Sequence, residues 1–183
     1  RATNSVSMRF DQVVVEPNWV LGQPGDPVTT GILDEFAPAY GVIYGGIMHR
    51  ALQETTEFLK TKKPGLVNNG NSMSRLGVTR LLIESVLDAV PQTALAYDSN
   101  DRELRIRRGT HLKYLGSTAV QEGRNHLIQL YGGNSLVAGT MIDLLLRDME
   151  AEIMPPSVDN ILEGLGRAEM GRPLTPPLVT NFV

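Results

Sequence analysis

The stretch ILDEFAPAYGVIYGGIMHRALQETTEFLKTKKPG, residues 32–65, decides the fold. Ile32, Phe36, Tyr40, Ile43, Ile47, Leu52 and Phe58 fall near three- and four-residue spacings, and KPG closes the run. This period lays apolar side chains along one stripe of an α-helix, which other elements must then cover. The covering elements are readable downstream. Residues 72–97 carry Leu76, Leu81, Leu82, Val86 and Val90 in the same period, with a kink expected at Pro91. Residues 100–131 form a third helical pattern, with Asp101 and Glu103 at its start and Gly132-Gly133 at its end. Two shorter helices are expected at 135–153 and 157–169. Three long and two short helices predict a mainly α fold, an antiparallel bundle.

Upstream the pattern is different. Residues 5–15 alternate and are rich in apolar and β-branched side chains (Val6, Met8, Phe10, Val13, Val14, Val15), and EPNW and GQPGDP follow as turn chemistry. A short β segment is expected here. One strand cannot pair its own edges or bury its own face, so its partner sheet must come from elsewhere. The chain opens without methionine and inside a strand pattern, and it reads as one that starts partway through a larger protein. The expected division is a β remnant and linker over 1–27, a helical bundle over 28–170 and an extended, proline-rich arm over 171–183.

Composition excludes several classes. A length of 183 residues with 42% hydrophobic residues suits one globular domain with a packed core. With no cysteine there is no disulfide framework, thiolate metal site or cysteine nucleophile; this fits a reducing compartment, and a cytoplasmic location is expected. A net charge of −3 lacks the basic field of nucleic-acid or anionic-membrane binding, and no apolar run approaches a membrane span. Neither nucleic acid nor membrane is an expected partner.

Few residues announce chemistry. His49, His111 and His126 lie far apart without metal-ligand spacing, and no metal site is expected. Lys60, Lys62 and Lys63 read as a charge cluster offsetting a helix dipole, with a phosphate site as the alternative. RELRIRR, residues 102–108, reads as a solvated helix face. No GxGxxG, P-loop or GxSxG is present. IQLYGGNSL, residues 128–136, stands out: a Gly-Gly stop lets a ligand or another chain approach the backbone, and Gln129 one turn earlier offers both donor and acceptor.

At these residues the chain resembles the C-terminal half of the acyl-CoA dehydrogenase superfamily. QLYGGNSL followed by LLLRDMEAEI is similar to that family's Q-x-x-G-G-x-G segment and its L-x-R-D-A motif, at the same separation. The opening RATNSVSMRFDQVVVEPNWVLGQPGD resembles the last strands of the family's middle β domain, and YGGIMHRALQETTEFLKTKKP its first long bundle helix. The resemblance implies a flavin-dependent oxidoreductase that removes hydrogens from the α and β carbons of an acyl-CoA thioester. It implies FAD, with FMN as the alternative, and a homodimer or homotetramer, with another chain able to supply the missing N-terminal domains. It places Gln129, Gly132 and Gly133 against the adenosine of an FAD held by a neighbouring subunit. The family's pyrophosphate-binding arginine falls near Lys60, Lys62 and Lys63, where a lysine offers a point charge without the guanidinium fork. Ser157 aligns with a flavin-contacting threonine, and Asp159 with a nearby polar residue.

The resemblance fails at one position. Aligned on Arg147-Asp148, the family's catalytic glutamate falls on Pro155, which has no basic group. Family members that carry the base on the first bundle helix would place it at Phe36, with Glu35 one residue away, so Glu35 is the remaining catalytic candidate. It also reads as a helix-start acid beside Asp34. A flavin monooxygenase of the same fold, which uses reduced flavin and oxygen, needs no such base and is the alternative function. A non-catalytic helical subunit is the third.

Overall fold

The computed structural model describes residues 7–23, 26, 36–153 and 157–174. Its helices are α1, Phe36–Lys62; α2, Gly70–Tyr97; α3, Arg102–Tyr131; α4, Met141–Met149; and α5, Val158–Glu169. Their starts follow from side-chain caps: Asn69 accepts from the Ser72 N–H, Asp101 from Leu104, Thr140 from Asp143 and Ser157 from Asn160. Pro91 lies inside α2 without ending it. Among the described residues no helix is long and apolar enough to cross a membrane.

The long α3 is central. It packs along α1 and α2, α4 lies mainly against α1, and α5 rests on α3. The core joins Tyr44, Met48 and Ala51 of α1, Ile83 and Val86 of α2, Leu112, Ala119 and Leu127 of α3, and Ile142, Leu146 and Met149 of α4. Burying each large aliphatic side chain here contributes roughly 1.5–3 kcal/mol. α1 and α3 touch backbone to backbone at one level. A Cβ on Gly41 would lie 2.5 Å from the Leu112 carbonyl oxygen, and one on Gly116 would lie 2.8 Å from the Gly41 oxygen. Glycine at these two positions sets how closely the helices approach.

Two expectations need correction. The β segment does not form within residues 7–15, which are irregular, with Met8, Phe10, Val13, Val14 and Val15 all exposed. Alternation fixes which side chains share a face, but a strand also needs a neighbouring ladder for its N–H and C=O groups. The single helix expected over 135–153 is instead three pieces: a 3-10 turn Gly132–Leu136, then α4, then a 3-10 turn Glu150–Ile153. Gly139, at φ +83, separates the first two, and its N–H donates to Asp143 Oδ2 at 2.9 Å.

Candidate functional site

The expected cofactor residues sit where α3 stops. Gly132 adopts φ +62 and ψ −145, a conformation suited to glycine, and its N–H still donates to the Ile128 carbonyl. The chain leaves in the Gly132–Leu136 turn, closed by Ser135 Oγ donating to the Gly132 oxygen at 2.8 Å. Gln129 and Gly133 are exposed, and nothing lies within 4 Å of where a Gly133 Cβ would be. The end of α3 therefore presents an amide side chain and open backbone to the outside.

Lys63 joins them. Its Nζ donates to the carbonyl oxygens of Tyr131 at 2.9 Å and Leu130 at 3.4 Å, placing a cation on the negative end of the α3 dipole. A Cβ on Gly132 would stand 3.3 Å from that ammonium. Among the described residues these two carbonyls take two of its three donors. Beneath it Phe58 and Tyr131 stack with centroids 4.1 Å apart, and Lys63 lies 5.3 Å from the Phe58 ring. Burial raises the Tyr131 hydroxyl pKa, and that hydroxyl donates to the Glu54 carbonyl at 3.3 Å. A cleft of about 250 Å³ opens beside this stack, lined by Glu54, Phe58, Tyr131 and Asn134 among others. A second, of about 300 Å³, lies between α2 and α3, where Arg75 Nη1 meets His126 Nδ1 at 3.3 Å.

Ser157 is elsewhere. Its hydroxyl caps α5 by accepting from the Asn160 N–H at 3.3 Å, and it comes shortly after the turn Glu150–Ile153 that closes α4. That turn lies along the side of the bundle, meeting α1 at Tyr44 and α3 at Lys113, Gln121 and Arg124, eighteen to seven residues before Tyr131, roughly 27 to 10 Å at 1.5 Å per residue. The structure thus brings Gln129, Gly132, Gly133 and Lys63 together at the α3 terminus, while the Ser157 hydroxyl is engaged in capping α5. Glu35 and Pro155 lie outside the described residues.

A buried lysine beside this turn was missed from sequence. Lys113 is 0% exposed, donates to Ser117 Oγ at 3.0 Å and to the Glu152 carbonyl at 3.1 Å, and lies 4.5 Å from the Tyr44 ring centroid. Burial lowers its pKa to about 8, against a partly offsetting pull from Glu152. Burial, with Tyr40 and Glu152 nearby, pushes Tyr44 up to about 12. The signal was present: Gly109, Leu112, Gly116 and Val120 surround Lys113 at helical spacing with small or apolar groups, an unusual setting for a solvated charge.

No curated protein matches the chain. A family model described as acyl-CoA dehydrogenase, C-terminal domain, matches residues 25–155, well over half of its length.

Proposed function

Because the chain belongs to the acyl-CoA dehydrogenase C-terminal domain family, we propose that it is the bundle portion of a flavin-dependent oxidoreductase and that the α3 terminus holds the adenosine diphosphate end of FAD. The observation carrying this reading is Lys63 held on the Leu130 and Tyr131 carbonyls beside Gly132 at an open helix end. The residues fit such a group. The remaining Lys63 donor can neutralise a phosphate oxygen, the exposed Gln129 amide can bond a ribose or a base edge, and the bare backbone at Gly132 and Gly133 admits close approach. The flavin, when bound, would supply the hydride acceptor. The bundle would position it and close off water from one side.

The favoured reaction is α,β-dehydrogenation of an acyl-CoA thioester. Pro155 at the position of the usual base favours the second reading, a monooxygenase that uses reduced flavin and oxygen and abstracts no α-proton. In both readings residues 1–27 belong with a β domain, residues 28–170 provide the association surface of a homodimer or homotetramer, and residues 171–183 form the arm.

The test is FAD titration of the full chain followed by visible absorbance, with free ADP as competitor. Binding that ADP displaces and that Gln129→Ala weakens supports the reading, whereas no FAD or ADP binding overturns it. Anaerobic addition of acyl-CoA to the flavin-loaded protein separates the reactions. Bleaching supports the dehydrogenase; an unchanged spectrum, with turnover dependent on added reduced flavin, supports the monooxygenase.

A further inference from the structure

The turn Glu150–Ile153, which closes α4, is held from two helices at once. From α1, the Tyr44 hydroxyl donates to the Ala151 carbonyl at 2.7 Å. From α3, Lys113 Nζ donates to the Glu152 carbonyl at 3.1 Å, Gln121 Nε2 donates to Glu152 Oε1 at 2.9 Å, and Arg124 pairs with Glu150. Four side chains converge on three successive residues, Glu150, Ala151 and Glu152.

Lys113 is the costly member of the set. An ammonium with no exposed surface forfeits its hydration, and an aliphatic side chain of similar volume would fill the same space without that loss. What the lysine adds is direction: a donor on a long stem reaching from the middle of α3 to a backbone carbonyl 39 residues further along the chain. Ser117 Oγ and the face of the Tyr44 ring occupy its remaining sides.

We infer that Lys113 and Tyr44 are positioning residues for the Glu150–Ile153 turn, and that closure of this turn is coupled to the proton on Lys113. The coupling requires no cofactor.

The direction of the coupling follows from linkage. With the turn closed, burial holds the ammonium pKa at about 8 instead of 10.5. Opening returns the group to water and towards its ordinary value. Between those limits the open form binds more protons, so raising the pH favours closure, by up to about tenfold per pH unit. Below about 8 both forms are protonated and the balance is flat. The titratable groups facing Lys113 are Tyr40 and Tyr44 on α1 and Glu152 on the turn. With its pKa pushed to about 12, the Tyr44 hydroxyl remains a donor across this window.

Pulsed hydrogen–deuterium exchange on the full chain, corrected for intrinsic rates and run from neutral to alkaline pH, tests the inference. In the wild type the amides of residues 151–153 should gain protection as pH rises above about 8. Lys113→Met should abolish that rise and speed exchange in the turn at neutral pH about tenfold or more, with core exchange within about twofold. Tyr44→Phe should speed exchange in the turn about fivefold and keep the pH response. The inference is overturned if turn protection is the same in wild type and variants, if the loss spreads evenly over all helices, or if the pH response survives in Lys113→Met. Should Lys113→Met not fold, the wild-type response and Tyr44→Phe decide the matter: no rise in the former or no change in the latter overturns the inference.

Discussion

Two levels of the bundle, the terminus of α3 and its middle around Lys113, solve opposite problems. At the α3 terminus, backbone and polar side chains are left open and one cation is shared with the helix dipole. At the Lys113 level, the Lys113 ammonium is fully enclosed and bonded to Ser117 and to the Glu152 carbonyl. An open end can exchange partners and so suits a ligand; an enclosed level can only hold shape. Substitutions should therefore separate the two, with stability effects concentrated at the enclosed level and binding effects at the open one.

The largest effect is expected at Gly41→Ala, where the new Cβ meets the Leu112 carbonyl oxygen and neither backbone can yield cheaply. It should cost about 3 kcal/mol in denaturant unfolding. An effect under about 0.5 kcal/mol would mean the helices separate easily and the enclosed level is not rigid. Next comes pH. The Lys113 pKa is depressed on folding, so its contribution to stability rises between about 8 and 10.5, by about 2 kcal/mol between pH 8 and 10. The Tyr44 pKa is raised on folding, so its contribution is full below 10 and is lost as pH climbs towards about 12. Urea unfolding as a function of pH should show the gain in wild type and not in Lys113→Met. Lys63→Met should cost about 1 kcal/mol by uncovering the α3 carbonyls, and it should also weaken FAD binding. The smallest stability effect belongs to the exposed Gln129→Ala, within about 0.5 kcal/mol, while its FAD affinity falls. If Gln129→Ala unfolded the protein instead, the contrast between the two levels would fail.

What sequence revealed follows the same division. The end of α3 was legible because a Gly-Gly stop is a local signal, and the caps at Asp101 and Ser157 are local too, whereas the arrival of Lys63 there spans 68 residues. The break at Gly139 was equally local, yet a helical period on either side hid it until Thr140 was seen to start a new helix. Residues 7–15 carry the period of a strand but form no ladder, because a strand's partner is a non-local requirement that the period does not contain. The small and apolar neighbours of Lys113 on α3 were a local hint of its burial, but its partners, α1 and a turn far along the chain, lie outside any window of sequence around it. The contact of Gly41 with Leu112 and Gly116 is likewise a meeting of two helices, readable only once they are side by side.

The exposed N-terminal stretch has a spectroscopic consequence. Trp19, the single tryptophan, is 66% exposed and lies outside the helices, whereas Tyr44 and Tyr131 are core residues. Indole emission will stay nearly constant while the bundle melts, and tyrosine emission will follow the melting. A blue shift of the indole band on mixing with another protein would report coverage of residues 17–21, with the bundle itself dark to that signal.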